Sequence, residues 1–302
     1  MTFSAIGRWL RAGDALVVNE TRVRPARLDV RRASGGRVEL LFVRPEGDGR
    51  WRVLAKPAKK AAPGTALTSV DDTLELEVDA IGEDGERVVR VTRGDLDRTL
   101  RSSGHVPLPP YIHRAATPED AERYQTVFAR VDGAVASPTA GLHFSTALLE
   151  SLASAGVRRA EVLLHVGPGT FRPIATEDPR DHRMDEEWFE VTGACVSALS
   201  AARDAGGRIV AVGTTSVRAL ESACDARGGT LGAASGWTRK YILPPYEFRA
   251  VDALVTNFHL PRTTLLLLVA AFAGEDLTRA AYAHAVRERY RFYSYGDAML
   301  IV

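Results

Sequence analysis

Four histidines, His143, His165, His182 and His259, stand at or beside places where this chain changes from strand to turn or helix. Imidazole titrates near neutrality, so each could act as a general base or acid, or hydrogen-bond a sugar or a base edge. A structural histidine with its hydrogen bonds met is the plain alternative for any one of them. Their spacing gives no HExxH, and no carboxylate or histidine partner sits at helical spacing, so no metal site is expected. The Gly213-Thr214-Thr215-Ser216 turn offers backbone N–H groups at a helix start, three hydroxyls, and Arg218 one turn further on. Such a turn can hold a phosphate, carboxylate or ribose, or it can simply be a capped helix. A Walker lysine and a GxGxxG are both missing, which removes the P-loop and the dinucleotide fingerprint. Asp185, Glu186 and Glu187 follow His182 just ahead of an expected strand, where a carboxylate could bind a cation or ribose hydroxyls, or the run could be a solvated face. Ser137 and Ser216 lack the G-x-S-x-G elbow of a hydrolase nucleophile. Four aromatics around Ser294, in YRFYSYGDAMLIV, could stack on a nucleobase or fill a core.

The elements that must position these residues follow from the pattern of apolar runs. Residues 251–274 read as an apolar strand, an Asn257-Phe258-His259 corner and, past Pro261, an apolar helix. Side chains at such a corner face the crevice outside a strand's carboxyl end, where ligands of open α/β sheets sit. The pattern recurs at 160–171, ending in His165 and a Gly-Pro-Gly turn, and at 208–222. A fourth copy is expected at 134–156, with a short strand, a Pro-Thr-Ala-Gly loop, a helix opened by Ser145 or Thr146, and Gly156 as its stop. Together they predict an α/β fold, a mostly parallel sheet flanked by helices, with four loops converging on one edge.

The amino-terminal third reads differently. From Arg22 to about Arg101, short alternating runs such as ARLDVRR, RVELLFVR and RVVRVTR are separated by Gly and Asp turns, an antiparallel meander of five or six strands, most simply a small barrel. GDALVVN at 13–19 reads instead as a buried strand, and SSGHVPLPPYIHR at 102–114 as a Pro-rich return. The expected division is therefore an α/β domain at 1–21 and 115–302, with an inserted barrel domain at 22–114. With 39 basic against 38 acidic residues the net charge is +1, so no whole-molecule field draws the chain to nucleic acid or membrane. A local patch of Arg22, Arg24, Arg27, Arg31 and Arg32 could still meet RNA, although alternating arginines also mark an ordinary exposed strand face. Cys195 and Cys224 form no CxxC, which fits free thiols in a reducing cytosol. The longest apolar run, 265–273, is far short of the roughly 20 residues of a membrane span. The start of the chain has no signal-peptide pattern, and the expectation is a cytoplasmic protein without a membrane partner.

The segments GDALVVNETRVRPARL, PLPPYI, YQTVFA, SPTAGLHF, LHVGPGTF, VGTTSVRALES, VDALVTNFHLP and YRFYSYGDAML, spread over nearly the whole length, resemble the S-adenosylmethionine:tRNA ribosyltransferase-isomerase family of queuosine biosynthesis. The resemblance implies an α/β domain with an inserted antiparallel barrel. It implies that S-adenosylmethionine is a co-substrate, tRNA is the partner and no metal is needed; a monomer is the expected oligomeric state. In the implied reaction the ribosyl part of S-adenosylmethionine moves to a 7-aminomethyl-7-deazaguanine base at the tRNA wobble position. Adenine and methionine leave, and the ribose becomes the epoxycyclopentane of epoxyqueuosine. The sulfonium acidifies the 5′-methylene, so a base is required, for which His143, His165 and His259 are the candidates. Departing adenine needs a donor, another histidine or Arg218. The methionine carboxylate would suit the helix start from Gly213 through Thr214 and Thr215 to Ser216, and its ammonium a carboxylate such as Glu187. Thr139, Gly141, Gly167, Gly169, Thr170 and Asn257, on the other loops, complete the implied S-adenosylmethionine site.

Three departures stand out against the family pattern. Asp185 occupies the second histidine position of His-x-Met-His-x-Glu, here residues 182–187, which exchanges a neutral donor for an anion. Pro244-Pro245 stands where Pro-Gly is usual, and family members usually carry a longer segment before the strand that Gly13-Asp14 opens. They keep two other readings open: the same sulfonium chemistry on a non-tRNA acceptor, and a non-catalytic RNA-binding relative.

Overall fold

The five residues Ala15–Asn19 (ALVVN) are buried at every position, as a strand covered on both faces must be. They form β1 of the computed structural model, which describes residues 2–82, 85–112, 114 and 116–302; Glu83 and Asp84 of the Gly-Glu-Asp-Gly turn, and His113 and Ala115 around the end of the Pro-rich return, lie outside the described residues. Asp14, fully buried, fixes where β1 begins. It accepts from the Arg208 backbone N–H at 2.9 Å, from Arg208 Nη2 at 2.7 Å and from the Arg11 N–H at 3.0 Å. Burial would raise this carboxyl, but the Arg208 hydrogen bonds outweigh it and hold Asp14 below the usual carboxylate range. The chain separates into two compact units, Met1–Arg22 with Tyr124–Val302, and Val23–Arg123.

After β2 (Thr21–Val23) the second unit follows. Its strands β3 (Arg27–Arg32), β4 (Arg37–Gly47), β5 (Arg50–Lys56), β6 (Ala66–Ser69), β7 (Glu75–Ile81) and β8 (Arg87–Arg93) close as a barrel in the order β3-β4-β5-β8-β7-β6. The alternation in sequence is the alternation of faces: Leu28, Val30, Leu40, Phe42, Val53 and Val89 point inward. Outside, arginines meet carboxylates of neighbouring strands, as in Arg90–Glu77 at 2.9 Å and Arg93–Glu75 at 2.7 Å. Helix α1 (Leu96–Ser103), capped by Asp95, adds Leu96 and Leu100 to the same core. The connectivity is not a simple meander. Two three-stranded runs are joined by pairing β5 with β8 and β6 with β3, and that closure leaves no free edge.

A short helix α2 (Asp120–Arg123) precedes the return to the first unit. There β9 (Val131–Ala134), α3 (Thr146–Ser154), β10 (Arg158–Leu164), β11 (Glu187–Val191), α4 (Gly193–Asp204), β12 (Ile209–Val212), α5 (Thr214–Ala226), β13 (Ala234–Thr238), β14 (Ala253–Asn257), α6 (Thr264–Ala273), α7 (Glu275–Arg287) and β15 (Ala298–Ile301) follow in turn. The main sheet runs β13-β11-β10-β1-β12-β14-β15. Its four inner strands β10, β1, β12 and β14 are parallel, and β11, β13 and β15 join antiparallel at the rims. Leu16, Val18, Val210, Val212, Ala253 and Val255 bury one face against Ile6, Leu10, Phe144 and Leu152. Helices α4 and α5 cover β10, β1 and β12.

The expected fourth strand-to-helix copy is only half present. Strand β9 pairs with β2 outside the main sheet, because VDGA buries just Ala134 and cannot serve as an inner strand. Its loop still reaches the sheet edge, since the Val135 and Ala136 N–H groups both donate to Val166 O. Ser145 caps α3 by accepting from the Leu148 N–H, and Gly156 beyond its end takes φ +84°.

Candidate active site

Asn257, the last residue of β14, is almost wholly buried and uses both ends of its amide. Its Oδ1 accepts from Thr139 Oγ1 at 3.0 Å, and its Nδ2 donates to His143 Nε2 at 3.1 Å. Thr139 and His143 open and close one 3-10 turn, so a single amide locks the 137–143 loop to the end of β14. With Nε2 accepting, the His143 proton is on Nδ1. Burial holds this imidazole below its usual range, against the opposing pull of Asp297. Its ring stacks on Phe3 at 4.9 Å between centroids. His259, two residues past Asn257, pairs its Nε2 with Thr256 Oγ1 at 2.8 Å, and its backbone N–H donates to the Tyr282 hydroxyl at 2.9 Å. Burial pushes it down to about 4, so both histidines are neutral at physiological pH.

Between this corner and the start of α5 lies a small cleft of about 30 Å³. Gly213 opens the helix at φ +86° with no side-chain cap, and its N–H donates to Val255 O at 2.7 Å. That positive φ is why glycine stands there. Thr214, Thr215, Thr139 and Thr170 line the cleft, with Asn257 and His259 on the β14 side and Ser137 on the loop side. Ser137 and Thr215 are 4% and 7% exposed, and the Oγ of Ser137 and the Oγ1 of Thr215 have no hydrogen-bond partner among the described residues. Ser216 is different: its Oγ donates back to Val212 O at 2.7 Å, so its hydroxyl is satisfied within the helix.

One turn along α5, Arg218 forms a buried ion pair with Glu187 of β11. The other Glu187 oxygen accepts from the Gly167 N–H at 2.7 Å, and Arg218 Nε donates to Lys240 O at 2.9 Å. Both carboxylate oxygens are thus engaged within the protein, and Glu187 acts on the Gly-Pro-Gly loop and on Arg218. Arg218 Nη2, also buried, has no partner among the described residues. Removing either partner would strand a charge in a buried setting, typically at a cost of about 3–5 kcal/mol.

The remaining candidates are held by packing. His165 pairs Nδ1 with Thr21 Oγ1 at 2.8 Å, and its ring lies so close to Gly133 that a Cβ there would sit 2.4 Å from it. An added Cβ on Gly141 would meet the Phe128 ring at 2.6 Å, and one on Gly169 would meet the Asp185 carboxylate at 2.3 Å. Asp185 itself faces Arg172 at 3.4 Å, and His182 packs edge-on to Tyr241. The fold therefore gathers Thr139, Thr170, Gly213, Thr214, Thr215, Asn257 and His259 around one cleft, with His143 attached through Asn257. Glu187, Arg218 and Gly167 form a second polar group, while His165, Gly141, Gly169 and Ser216 serve the surrounding backbone. Ser137 as a cleft hydroxyl, Thr256, Tyr282 and Asp297 were not legible beforehand. A polar Thr256 following the apolar Ala253-Leu254-Val255 and preceding Asn257 was the one available hint.

A second cavity, of about 890 Å³, adjoins His143 and is walled by Phe3, Trp9, Arg291, Tyr295 and Asp297. The aromatics of the last segment divide between a packed cluster and the surface. Phe292 and Tyr290 pack with Phe258 and Tyr282 in a core, whereas Tyr293 and Tyr295 are exposed. The arginines considered as an RNA patch are largely engaged. Arg27 pairs with Glu39 and Arg31 with Asp72, Arg22 lies 3.6 Å from Asp132, and Arg24 stacks its guanidinium over Trp51. Among the described residues no cluster of three or more histidine, cysteine or acidic side chains could hold a metal ion, and no helix is long and apolar enough to cross a membrane.

Parallel inner strands whose carboxyl ends carry an uncapped helix start, free hydroxyls and neutral histidines define the class: an α/β protein with a polar ligand cleft, interrupted by a closed antiparallel barrel. The family model described as Queuosine biosynthesis protein matches residues 1–301, and the chain belongs to that family. A relative from Symbiobacterium thermophilum named S-adenosylmethionine:tRNA ribosyltransferase-isomerase is 50% identical over 302 residues, covering 99% of this chain and 88% of its own length. One of the same name from Methylobacterium radiotolerans is 54% identical over 300 residues, covering 97% and 84%. The crystal structure of an S-adenosylmethionine tRNA ribosyltransferase from Thermotoga maritima is 40% identical, with a TM-score of 0.52 over 99% of this chain and 86% of that one.

Proposed function

We propose that this enzyme transfers the ribosyl moiety of S-adenosylmethionine to a 7-aminomethyl-7-deazaguanine base at the tRNA wobble position, giving epoxyqueuosine and releasing adenine and methionine. The observation that carries it is identity at about the 50% level, over nearly the whole chain, to relatives named for this activity. The α/β unit is assigned S-adenosylmethionine binding and the chemistry. S-adenosylmethionine supplies its own activation through the sulfonium, so the protein's tasks are orientation and proton transfer.

The two corner histidines suit different steps. His259 is assigned as the base: when its Nε2–H donates to Thr256, the Nδ1 lone pair is left to take a proton from the 5′-methylene. His143, with its proton on Nδ1, is assigned as the donor to departing adenine. Arg218, fixed by Glu187, positions the helix that carries Thr214 and Thr215. Soluble cytoplasmic location and a monomeric state belong to the same proposal. Incubation with S-adenosylmethionine and a transcript carrying the modified wobble base is expected to release adenine and add the epoxycyclopentanediol mass to the tRNA. Adenine release without mass gain would remove tRNA as the acceptor, and binding without release would favour a non-catalytic role.

A further inference from the structure

We propose that the cleft between the 137–139 loop and the start of α5 is a carboxylate subsite, taking the amino-acid carboxylate of the sulfonium substrate; the identity of that ligand rests on the S-adenosylmethionine reading above. Three independent features converge on it. Helix α5 is 13 residues long and starts at a glycine that supplies no side-chain cap, so its first N–H groups and the positive end of its dipole face the cleft. Ser137 Oγ and Thr215 Oγ1 are buried there without partners among the described residues. A buried hydroxyl left unmet typically costs about 1–3 kcal/mol, which an acceptor entering the cleft would relieve. The third feature is size. A cavity of about 30 Å³ holds roughly two water-sized groups, the room needed by two carboxylate oxygens and too little for a ribose or an adenine.

The lining carries no charge that would repel an anion. It contains hydroxyls, one amide, apolar groups and His259, and no Asp, Glu, Lys or Arg side chain, so an entering anion meets neither a like charge nor a competing salt bridge. Thr139 already donates to Asn257, and of the hydroxyls lining the cleft Ser137 Oγ and Thr215 Oγ1 are the ones fully buried without a partner among the described residues. The subsite thus anchors one end of the substrate next to the corner that carries His143 and His259.

The test is a binding cycle with S-adenosylmethionine and its decarboxylated analogue, measured by calorimetry on the wild type and on Thr215→Val, Thr215→Ser and Ser137→Ala. The wild type is expected to prefer S-adenosylmethionine by about 30-fold, the worth of a charge-assisted contact set. Thr215→Val and Ser137→Ala should each shrink that ratio several-fold through the carboxylated ligand alone. Thr215→Ser, which keeps the hydroxyl, should retain the wild-type ratio. A ratio unchanged in Thr215→Val and Ser137→Ala, or equal losses for both ligands in a folded variant, would overturn the subsite while leaving the S-adenosylmethionine reading intact. If the wild type bound neither nucleoside, methionine against methioninol would separate the two ideas. A preference for methionine that Thr215→Val abolishes keeps the subsite and sinks the nucleoside reading, and equal weak binding sinks both.

Discussion

Asn257 shows how much one side chain decides at this site. An amide has a donor end and an acceptor end, and the fold fills both, with Thr139 on one and His143 on the other. That arrangement fixes a tautomer that no sequence pattern encodes. His259 carries a measurable consequence of its burial. Its native pKa of about 4 lies below the ordinary histidine value, so between those two pH values the unfolded chain takes up a proton that the native state refuses. Stability must therefore fall as pH drops through that window. Relative to His259→Asn, the wild type is expected to lose about 2 kcal/mol more between pH 7 and pH 5 in urea unfolding. Parallel pH profiles for the two proteins would show that the ring is not held neutral.

At the scale of elements, the site depends on a strand that the main sheet does not contain. Strand β9, paired with β2, passes the residue after β10 closely enough that Gly133 presents bare backbone to the His165 ring. A methyl group there cannot be accommodated without moving the imidazole or the strand. Gly133→Ala is expected to lower adenine release at least tenfold and to reduce thermal stability, because both partners of the contact are constrained. Gly193→Ala at the start of α4, where a Cβ meets nothing within 4 Å, is the matched control and should leave both unchanged. Equal behaviour of the two variants would show that the close approach at Gly133 has no influence on the site. The two antiparallel rims have a related origin. Trp188 and Trp237 meet edge-to-face across β11 and β13, and β15 returns beside β14 (Leu254 opposite Ile301), so the parallel core is closed off on both sides by strands from distant parts of the chain.

For the molecule as a whole, charge is nearly balanced and the arginines of the barrel are spent largely on cross-strand carboxylates. The salt dependence of tRNA binding is accordingly expected to be shallow, with a log–log slope of magnitude about 3 or less, read by filter binding from low to moderate salt. A much steeper slope would mean that a basic surface forms on binding. Much of the architecture was legible because it follows from periodicity. Unbroken apolar runs gave the parallel core strands, alternation gave the barrel walls, and Gly213 with its threonines marked a helix start open to a ligand. Periodicity says nothing about which strands neighbour one another, which is why the barrel's order and the placement of β9 outside the main sheet came only from the fold. Nor can it say which hydroxyl is satisfied. Ser216 and Thr215 are adjacent in sequence and equivalent in type, yet one donates to Val212 O and the other is left without a partner in the cleft. The sequence by itself determined the element types and the set of polar groups at the sheet's carboxyl edge, since both depend on local spacing. Only the tertiary structure decided which of those groups remain free for a ligand, because that depends on contacts such as Asn257 to His143, made between residues more than a hundred positions apart.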